Sequence, residues 1–381
     1  MIILYITIFI YALYALLVGA LSYGWFRLRD YKRNDVPVHT NVSVICAVRN
    51  EQDNVEKLLN SLAAQDMPDD LYEIIIVNDH SDDATRAKVE DFIKNYKGNK
   101  DIHLLNLDNS KGDGKKAALH KGIEVSKGEL LVITDADCVA DPRWISTTTA
   151  YYEETHPHLV LGSLYMSNSG SLFGKLQTVD FMSLIAATAG ACYLEKPLMA
   201  NGANIAYTRE AYYSCGGFSD NIKYASGDDM FMMINVKKKY GGRAIKFLRS
   251  QHTVVTTPAE ENPNLFWNQR KRWISKTKGY TDAFVLGSSL IVFFANVWIV
   301  LLAILSLFNI NYLNLLLGAF AFKFIVDFPI LQSFIRYMKK ASLIWLVPLM
   351  EIINTVYTLV IGIAGNITKY QWKGRTHSAM D

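Results

Sequence analysis

The chain has 381 residues, half of them hydrophobic and only 20% charged, and its mean hydropathy is +0.10. That is too apolar for one ordinary soluble domain, while the middle of the chain is too charged to be embedded in a membrane throughout. A net charge of +3 excludes a strong electrostatic field for nucleic acid. Cys46, Cys138, Cys192 and Cys215 are far apart and form no CxxC pair, which argues against a disulfide framework or a thiolate zinc site and fits a reducing compartment.

Met1 to Phe26 carries no charge, and Arg27, Arg29, Lys32 and Arg33 follow at once. A bilayer core needs about 20 apolar residues in a helix. A cleaved leader would place the basic residues first, so residues 1–26 are expected to be an uncleaved transmembrane anchor. Its basic flank predicts a cytoplasmic domain behind it, on the cell's inner (plasma) membrane.

Residues 40–280 read as an α/β domain. Val42–Val48, Glu73–Val77, His103–Leu107 and Leu130–Thr134 are short, almost continuously apolar runs. Helical spacing falls between them at Asn54–Ala64 and Lys115–Val125. That alternation predicts a mainly parallel sheet with helices on both faces. Ligands of such sheets bind beyond the carboxyl ends of the strands. Glu51 follows the first strand, Asp79 the second, and Asp135 and Asp137 the fourth. One acidic loop is ordinary solvation, but three converging on one edge suggest a site. Residues i and i+2 of an extended chain share a face, so Asp135 and Asp137 suit a hard divalent cation such as Mg²⁺ or Mn²⁺.

Gly112-x-Gly114-x-x-Ala117 imitates a dinucleotide fingerprint but does not follow the first strand, so that reading is set aside. Lys111, Lys115 and Lys116 beside it suit either a phosphate or a solvated helix start. Phosphate-loop, HExxH and GxSxG patterns are absent from the sequence. Asp228-Asp229 precedes helical spacing in MFMMINVKKKY, so it suits a helix cap, a catalytic base, or both. Leu172–Tyr193 is expected to be an amphipathic helix on the membrane surface. Arg270, Lys271 and Arg272 beside Trp267 and Trp273 suit a headgroup belt. His252 is expected to be a solvent or core histidine.

Ala283 to Phe322 is uncharged and long enough for two helices, and Lys323 and Asp327 are spaced to pair within the second. Ala341–Thr368 suggests a further span, with Glu351 inside it. The C-terminal membrane region is thus 283–368, with about three helices, and 369–381 is a short basic tail. Four crossings would leave Lys369, Lys373 and Arg375 outside, against the usual charge bias, whereas a re-entrant segment would not. The sequence leaves both open.

The segments VSVICAVRNE, IIIVNDHSDDAT, GKKAAL, TDADC, NGANIAYTREAYYSCGGF, SGDD and QRKRW, in this order over residues 40 to 280, resemble family 2 glycosyltransferases of the GT-A fold. Gln269, Arg272 and Trp273 are similar to the QxxRW signature of the membrane-bound branch, which includes ceramide glucosyltransferases and polysaccharide synthases. Trp372-Lys373-Gly374-Arg375 is similar to the tail of lipid-glycosylating members.

The resemblance implies a UDP-sugar donor, a divalent metal and the following roles. Glu51 and Asp79 would hold the nucleoside, and Lys115 would approach the diphosphate. Asp135 and Asp137 would bind the donor and its metal. Gly202, Ala203 and Asn204 would line the sugar pocket. Asp229 would be the base, with Asp228 beside it where the family commonly has glutamate. Gln269, Arg272 and Trp273 would close the site. His80 stands where many relatives have glycine. The expected activity is inverting transfer to a membrane lipid on the cytoplasmic face. The alternative is a processive polysaccharide synthase, and a silent membrane-anchored binding module is the third reading.

Overall fold

The computed structural model describes all residues except 35, 109–113, 169, 220–225, 368–369, 373–374 and 378–381, with backbone alone from 366 onward. Lys111, Gly112 and the side chains of the Trp372–Arg375 segment therefore lie outside the described residues.

The chain opens with α1 (Ile2–Arg27), then β1 (Val42–Val48), α2 (Val55–Ala63), β2 (Tyr72–Asn78), α3 (Thr85–Asn95), β3 (Asp101–Asn106), α4 (Lys115–Val125) and β4 (Leu130–Asp135). β1 pairs in parallel with both β2 and β4, and β2 with β3. β1, β2 and the apolar part of β4 are buried almost end to end, which is why they read as unbroken apolar runs.

The second half adds β5 (Val139–Ala140), α5 (Trp144–Thr155), β6 (Leu159–Gly162), β7 (Leu164–Ser167), α6 (Leu172–Tyr193), β8 (Ile205–Thr208), α7 (Arg209–Ser214), α8 (Asp228–Tyr240), β9 (Ile245–Leu248) and β10 (Val255–Pro258). The main sheet has the order β3-β2-β1-β4-β8-β6-β9, with β8 antiparallel to both neighbours. A small sheet, β5-β10-β7, lies beside it. This is the expected GT-A architecture. Strands of four residues such as β6, β8 and β9 are too short to give a clear period in the sequence.

The chain then forms α9 (Pro263–Ser275), α10 (Ala283–Ser306), α11 (Asn311–Tyr337), α12 (Val347–Ile367) and a terminal hairpin, β11 (Tyr370–Trp372) with β12 (Arg375–His377). Among the described residues four helices are long and apolar enough to cross a membrane, at Ile2–Arg27, Ala283–Ser306, Asn311–Tyr337 and Ala341–Gly365, so this is a membrane protein.

Thr7, Tyr11, Tyr14, Val18, Leu21 and Trp25 form the buried stripe of α1, at alternating spacings of three and four. The hydroxyl of Tyr11 donates to the Ala295 carbonyl (2.8 Å), and Trp25 Nε1 donates to Ser333 Oγ (2.9 Å). The anchor is also tied to the α/β domain. Arg249 stacks on the Trp25 ring at 3.9 Å, donates to the Leu28 carbonyl and pairs with Asp30.

Helix α6 differs from the expectation. It is buried along most of its length instead of lying on the membrane surface. Gly24 and Gly190 bring α1 and α6 so close that a Cβ on either would strike backbone of the other. The wedge between sheet and membrane helices leaves α6 no polar face to present to headgroups.

Candidate active site

Arg49, Glu51, Asp79, Lys115, Asp135, Asp137, Glu260, Gln269 and Arg272 are among the residues around one cavity of about 370 Å³. It lies beyond the carboxyl ends of β1, β2 and β4, where the sequence placed the acidic loops.

The backbone of these loops is cross-tied. Asp79 N–H donates to the Val48 carbonyl (2.9 Å), and Arg49 Nη1 donates to the Asp79 carbonyl (2.9 Å). Glu51 N–H donates to Thr85 Oγ1 (2.7 Å), and Asn54 Nδ2 donates to Glu51 Oε2 (2.8 Å). Asp79 is buried, and its Oδ1 accepts from the Gly114 N–H (3.2 Å). His80 has φ 52°, the left-handed region that glycine adopts without strain. Its Nδ1 lies 3.1 Å from Asp79 Oδ1, so the histidine takes the glycine turn and contacts the carboxylate next to it.

Lys115, in the first turn of α4, reaches across to Asp135 Oδ1 at 2.5 Å and Asp228 Oδ2 at 3.6 Å. Burial alone would lower the Lys115 pKa, but these carboxylates outweigh it and hold the ammonium above the usual lysine value. Burial also raises the Asp228 carboxyl above the ordinary aspartate range, against the pull of Lys115. Lys116 lies under the site, 4.9 Å from the Phe231 ring centroid, and burial lowers it to about 8.

Asp137 Oδ2 accepts from Thr257 Oγ1 (3.3 Å), and Cys138 Sγ–H donates to Oδ1 (3.5 Å). Burial raises the Cys138 thiol well above its usual range, so it offers no thiolate. The donor set is therefore hard carboxylate oxygen, which fits a Mg²⁺- or Mn²⁺-class cation. A further group with ligand-like spacing, Glu73, Asp101 and His103, sits at the opposite end of β2 and β3. There Glu73 already accepts from Ser43 Oγ and the Lys127 N–H.

Asp228 and Asp229 open α8, outside the cavity wall itself. Asp229 Oδ2 accepts from the Gly202 N–H (3.1 Å) and Oδ1 from the Met230 N–H (2.7 Å), and Lys276 Nζ lies 3.5 Å away. The cap position itself falls to Gly227, with no side-chain cap hydrogen bond, so the cap reading is not met: both aspartates lie in the first turn of α8, and Asp229 is part of the charged cluster.

Of Gly202, Ala203 and Asn204, only Gly202 borders the charged cluster. A Cβ there would stand 2.9 Å from Lys115 Nζ. Asn204 points into the core, where Nδ2 donates to the Ser163 and Thr253 carbonyls and Oδ1 accepts from Trp144 Nε1. The Ala203 carbonyl accepts from Thr134 Oγ1 (3.0 Å). These two brace the fold and do not line the cavity.

Helix α9 contributes Gln269 and Arg272 to the cavity. Gln269 Nε2 donates to Glu260 Oε1 (3.1 Å), while its buried Oε1 has no hydrogen-bond partner among the described residues. Trp273 faces elsewhere, 6.0 Å from the Phe181 ring and 4.3 Å from the Arg270 guanidinium carbon. The headgroup belt is also revised at Arg270, which is buried and paired with Asp180 of α6 at 2.9 Å. His252 lies at the surface, 3.5 Å from Asp141.

Sequence reasoning passed over Glu260 and Arg49. Arg49 stood inside a quoted motif, but Glu260 stands in a run, AEEN, that looks like solvated loop. Burial raises the Glu260 carboxyl above its usual range, against Arg272 nearby.

Residues 130–360 match the family model described as Glycosyl transferase family group 2, and residues 43–216 that of Glycosyl transferase family 2. The chain belongs to glycosyl transferase family group 2 and is a family 2 glycosyltransferase. It is similar to a poly-beta-1,6-N-acetyl-D-glucosamine synthase of Staphylococcus epidermidis, 25% identical over 270 residues, covering 68% of this chain and 60% of that one. The glycosyltransferase AglE of Haloferax volcanii is 27% identical over 191 residues, 50% of this chain and 59% of that one. The matched regions thus span about three fifths of these relatives' own length. In fold the chain is similar to the mannosyltransferase PcManGT from Pyrobaculum calidifontis, solved with GDP-Man and Mn²⁺, with a TM-score of 0.54 at 17% identity over 92% of this chain and 99% of that one.

Proposed function

We propose that the protein transfers a sugar from a UDP-sugar to a membrane lipid, with inversion, using a divalent cation, on the cytoplasmic face of the inner (plasma) membrane. One observation carries this reading. A single cavity joins the strand-end carboxylates and Lys115 on one side to Gln269 and Arg272 of α9 on the other, and α9 packs along the apolar helix α12. A polar donor and an apolar acceptor can therefore meet at this point.

In this reading Glu51 and Asp79 bind the nucleoside. Asp135 and Asp137 would hold the cation, which when bound offsets the charge of the leaving diphosphate. Lys115 and Arg272 add positive charge at the same group. Lys115 is already held by Asp135 and Asp228, so it is placed before the donor arrives and little reorganisation is needed. The Gln269 Oε1 is available to a substrate hydroxyl, since a buried acceptor without a partner is costly. Asp229 takes the proton of the attacking acceptor hydroxyl, held in position by the Gly202 and Met230 amides. One base and direct displacement give inversion at the anomeric carbon.

A second reading is a polysaccharide synthase. It rests on the similarity to the poly-beta-1,6-N-acetyl-D-glucosamine synthase. Membranes containing the protein, supplied with Mg²⁺ or Mn²⁺ and a panel of labelled UDP-sugars, separate the two. Label extracted into organic solvent supports the glycolipid reading. Alcohol-insoluble label that lengthens with time supports the polymer and overturns the first. Transfer should vanish in Asp229→Asn while donor binding persists, and full activity in that variant would remove Asp229 as the base.

A further inference from the structure

We infer that α12 is a re-entrant element that dips into the membrane and returns to the catalytic face, so that among the described residues α1, α10 and α11 cross and α12 does not. Length and hydropathy allow α12 to cross, but the chain leading into it and its far end both lie beside the catalytic domain, while its first turns lie deeper.

The approach to α12 starts on that side. The Tyr337 carbonyl, at the end of α11, accepts from Gln251 Nε2 (2.6 Å), and Lys340 lies over the Tyr165 ring at 4.6 Å. Gln251 and Tyr165 both belong to the catalytic domain. The far end of α12 is on the same side. Tyr357 meets Phe266 of α9 at 5.9 Å between ring centroids, and the Gly365 Cα faces Ile274 so closely that an added Cβ would stand 2.6 Å from the isoleucine Cβ. The two contacts are eight residues apart on each helix, so α12 and α9 run side by side in the same direction. Just past the end of α9, Lys276 pairs with Asp229. The end of α12 therefore lies near the catalytic centre, and the backbone of β11 packs on α9 as well.

α10 and α11 show what crossing looks like in this chain. Asp282, at the start of α10, pairs with Lys237 of α8 (2.7 Å), whereas Leu307, Phe308 and Ile310, at the turn into α11, are largely exposed. A crossing α12 would end level with that turn.

The dip has an anchor. Glu351, in the second turn of α12, pairs with Lys323 (2.5 Å), which also pairs with Asp327 (2.8 Å). Asp327 in turn accepts from the Tyr14 hydroxyl of α1 (2.8 Å). Lys323 stands about 21 Å of helix rise before Tyr337, so this network fastens the start of α12 well below the catalytic face. Charges at that depth persist only when paired. Above it, Ile352, Val356, Val360 and Ile363 form the exposed stripe of α12, suited to acyl chains of the catalytic-side leaflet. The inference is independent of the identity of the acceptor.

Single cysteines test it in the full-length protein, in a Cys215→Ala background where the remaining native cysteines are buried. Ser378→Cys reports the tail, Asn309→Cys the α10–α11 turn, and Lys97→Cys the catalytic domain. A membrane-impermeant maleimide is applied to right-side-out and to inverted vesicles. Ser378→Cys should follow Lys97→Cys, with labelling at least tenfold greater in the orientation that exposes the catalytic domain, and Asn309→Cys should show the opposite preference. If Ser378→Cys labels together with Asn309→Cys, α12 crosses the membrane and the inference fails.

Discussion

Lys115 Nζ lies 2.5 Å from Asp135 Oδ1, so a cation from the first turn of α4 is bound to the first carboxylate at the end of β4. Asp228 sits on its other side at 3.6 Å. Lys115 thus links the end of β4 to the N-terminus of α8, and Lys115 and Asp135 both line the cavity in which transfer is proposed.

Replacing Lys115 with methionine keeps the length of the side chain and removes the charge. Charge-assisted bonds of this kind contribute about 1.5–3 kcal/mol. Donor affinity of Lys115→Met, measured by calorimetry with the UDP-sugar, should fall roughly 10- to 100-fold. Unchanged affinity would show that Lys115 serves the fold alone.

Gly202→Ala offers a subtler test of the same cluster. Its Cβ would press on Lys115 Nζ at 2.9 Å and Asp228 Oδ2 at 3.4 Å. The lysine end is movable, so the fold should survive. The displaced ammonium should raise the donor KM by roughly fivefold, about 1 kcal/mol of misfit. A variant with wild-type KM would mean that Lys115 yields without consequence.

Asp180 and Arg270 lock α6 to α9 and thereby the helix that carries Gln269 and Arg272. Asp180→Asn leaves the buried guanidinium without its counter-charge, a loss of roughly 3–5 kcal/mol for pairs of this kind. Thermal unfolding of the detergent-solubilised variant should begin several degrees lower. A smaller loss is expected from the double replacement Asp180→Leu with Arg270→Met, because no charge is then stranded. If the single and double variants unfold alike, the pair is not the lock described.

Lys116 gives a pH dependence with a defined sign. Its folded-state pKa of about 8 lies below the ordinary 10.5. Between those values the unfolded chain binds a proton that the folded chain does not, so this group makes stability rise with pH across that window. Below about pH 8 both states hold the proton and the full cost of burying the charge is present. Lys116→Met should therefore be more stable than wild type at pH 7, and the difference should shrink towards pH 10. A difference that does not change with pH would contradict the assignment.

The parallel half of the sheet was legible because β1, β2 and β4 are buried on both faces and appear as apolar runs ending in carboxylates. The bounds of β1 and α4 agree with the expected ones residue for residue. The pairing of Lys323 with Asp327 was also legible from their spacing, since i and i+4 meet on a helix. Its third member, Glu351, is 28 residues away and joins only through the return of α12. Asn204 and Trp273 lie in segments that resemble the family's motifs, but motif membership does not say which way a side chain points. Asn204 turns to Trp144 and Trp273 to Phe181, two packing contacts made by distant elements. Arg270 looked like a headgroup cation because its partner, Asp180, lies 90 residues earlier on a helix whose burial no local pattern revealed.

The most direct test of the account compares transfer by wild type and Asp137→Asn in membranes, with Mg²⁺ or Mn²⁺ titrated after chelation. The account predicts that wild-type transfer stops on chelation and returns with either cation. Asp137→Asn should remain at least 100-fold slower at every metal concentration, about 2.7 kcal/mol in barrier. Transfer that continues in chelator, or an Asp137→Asn variant as fast as wild type, would contradict a metal-assisted transfer in this cavity.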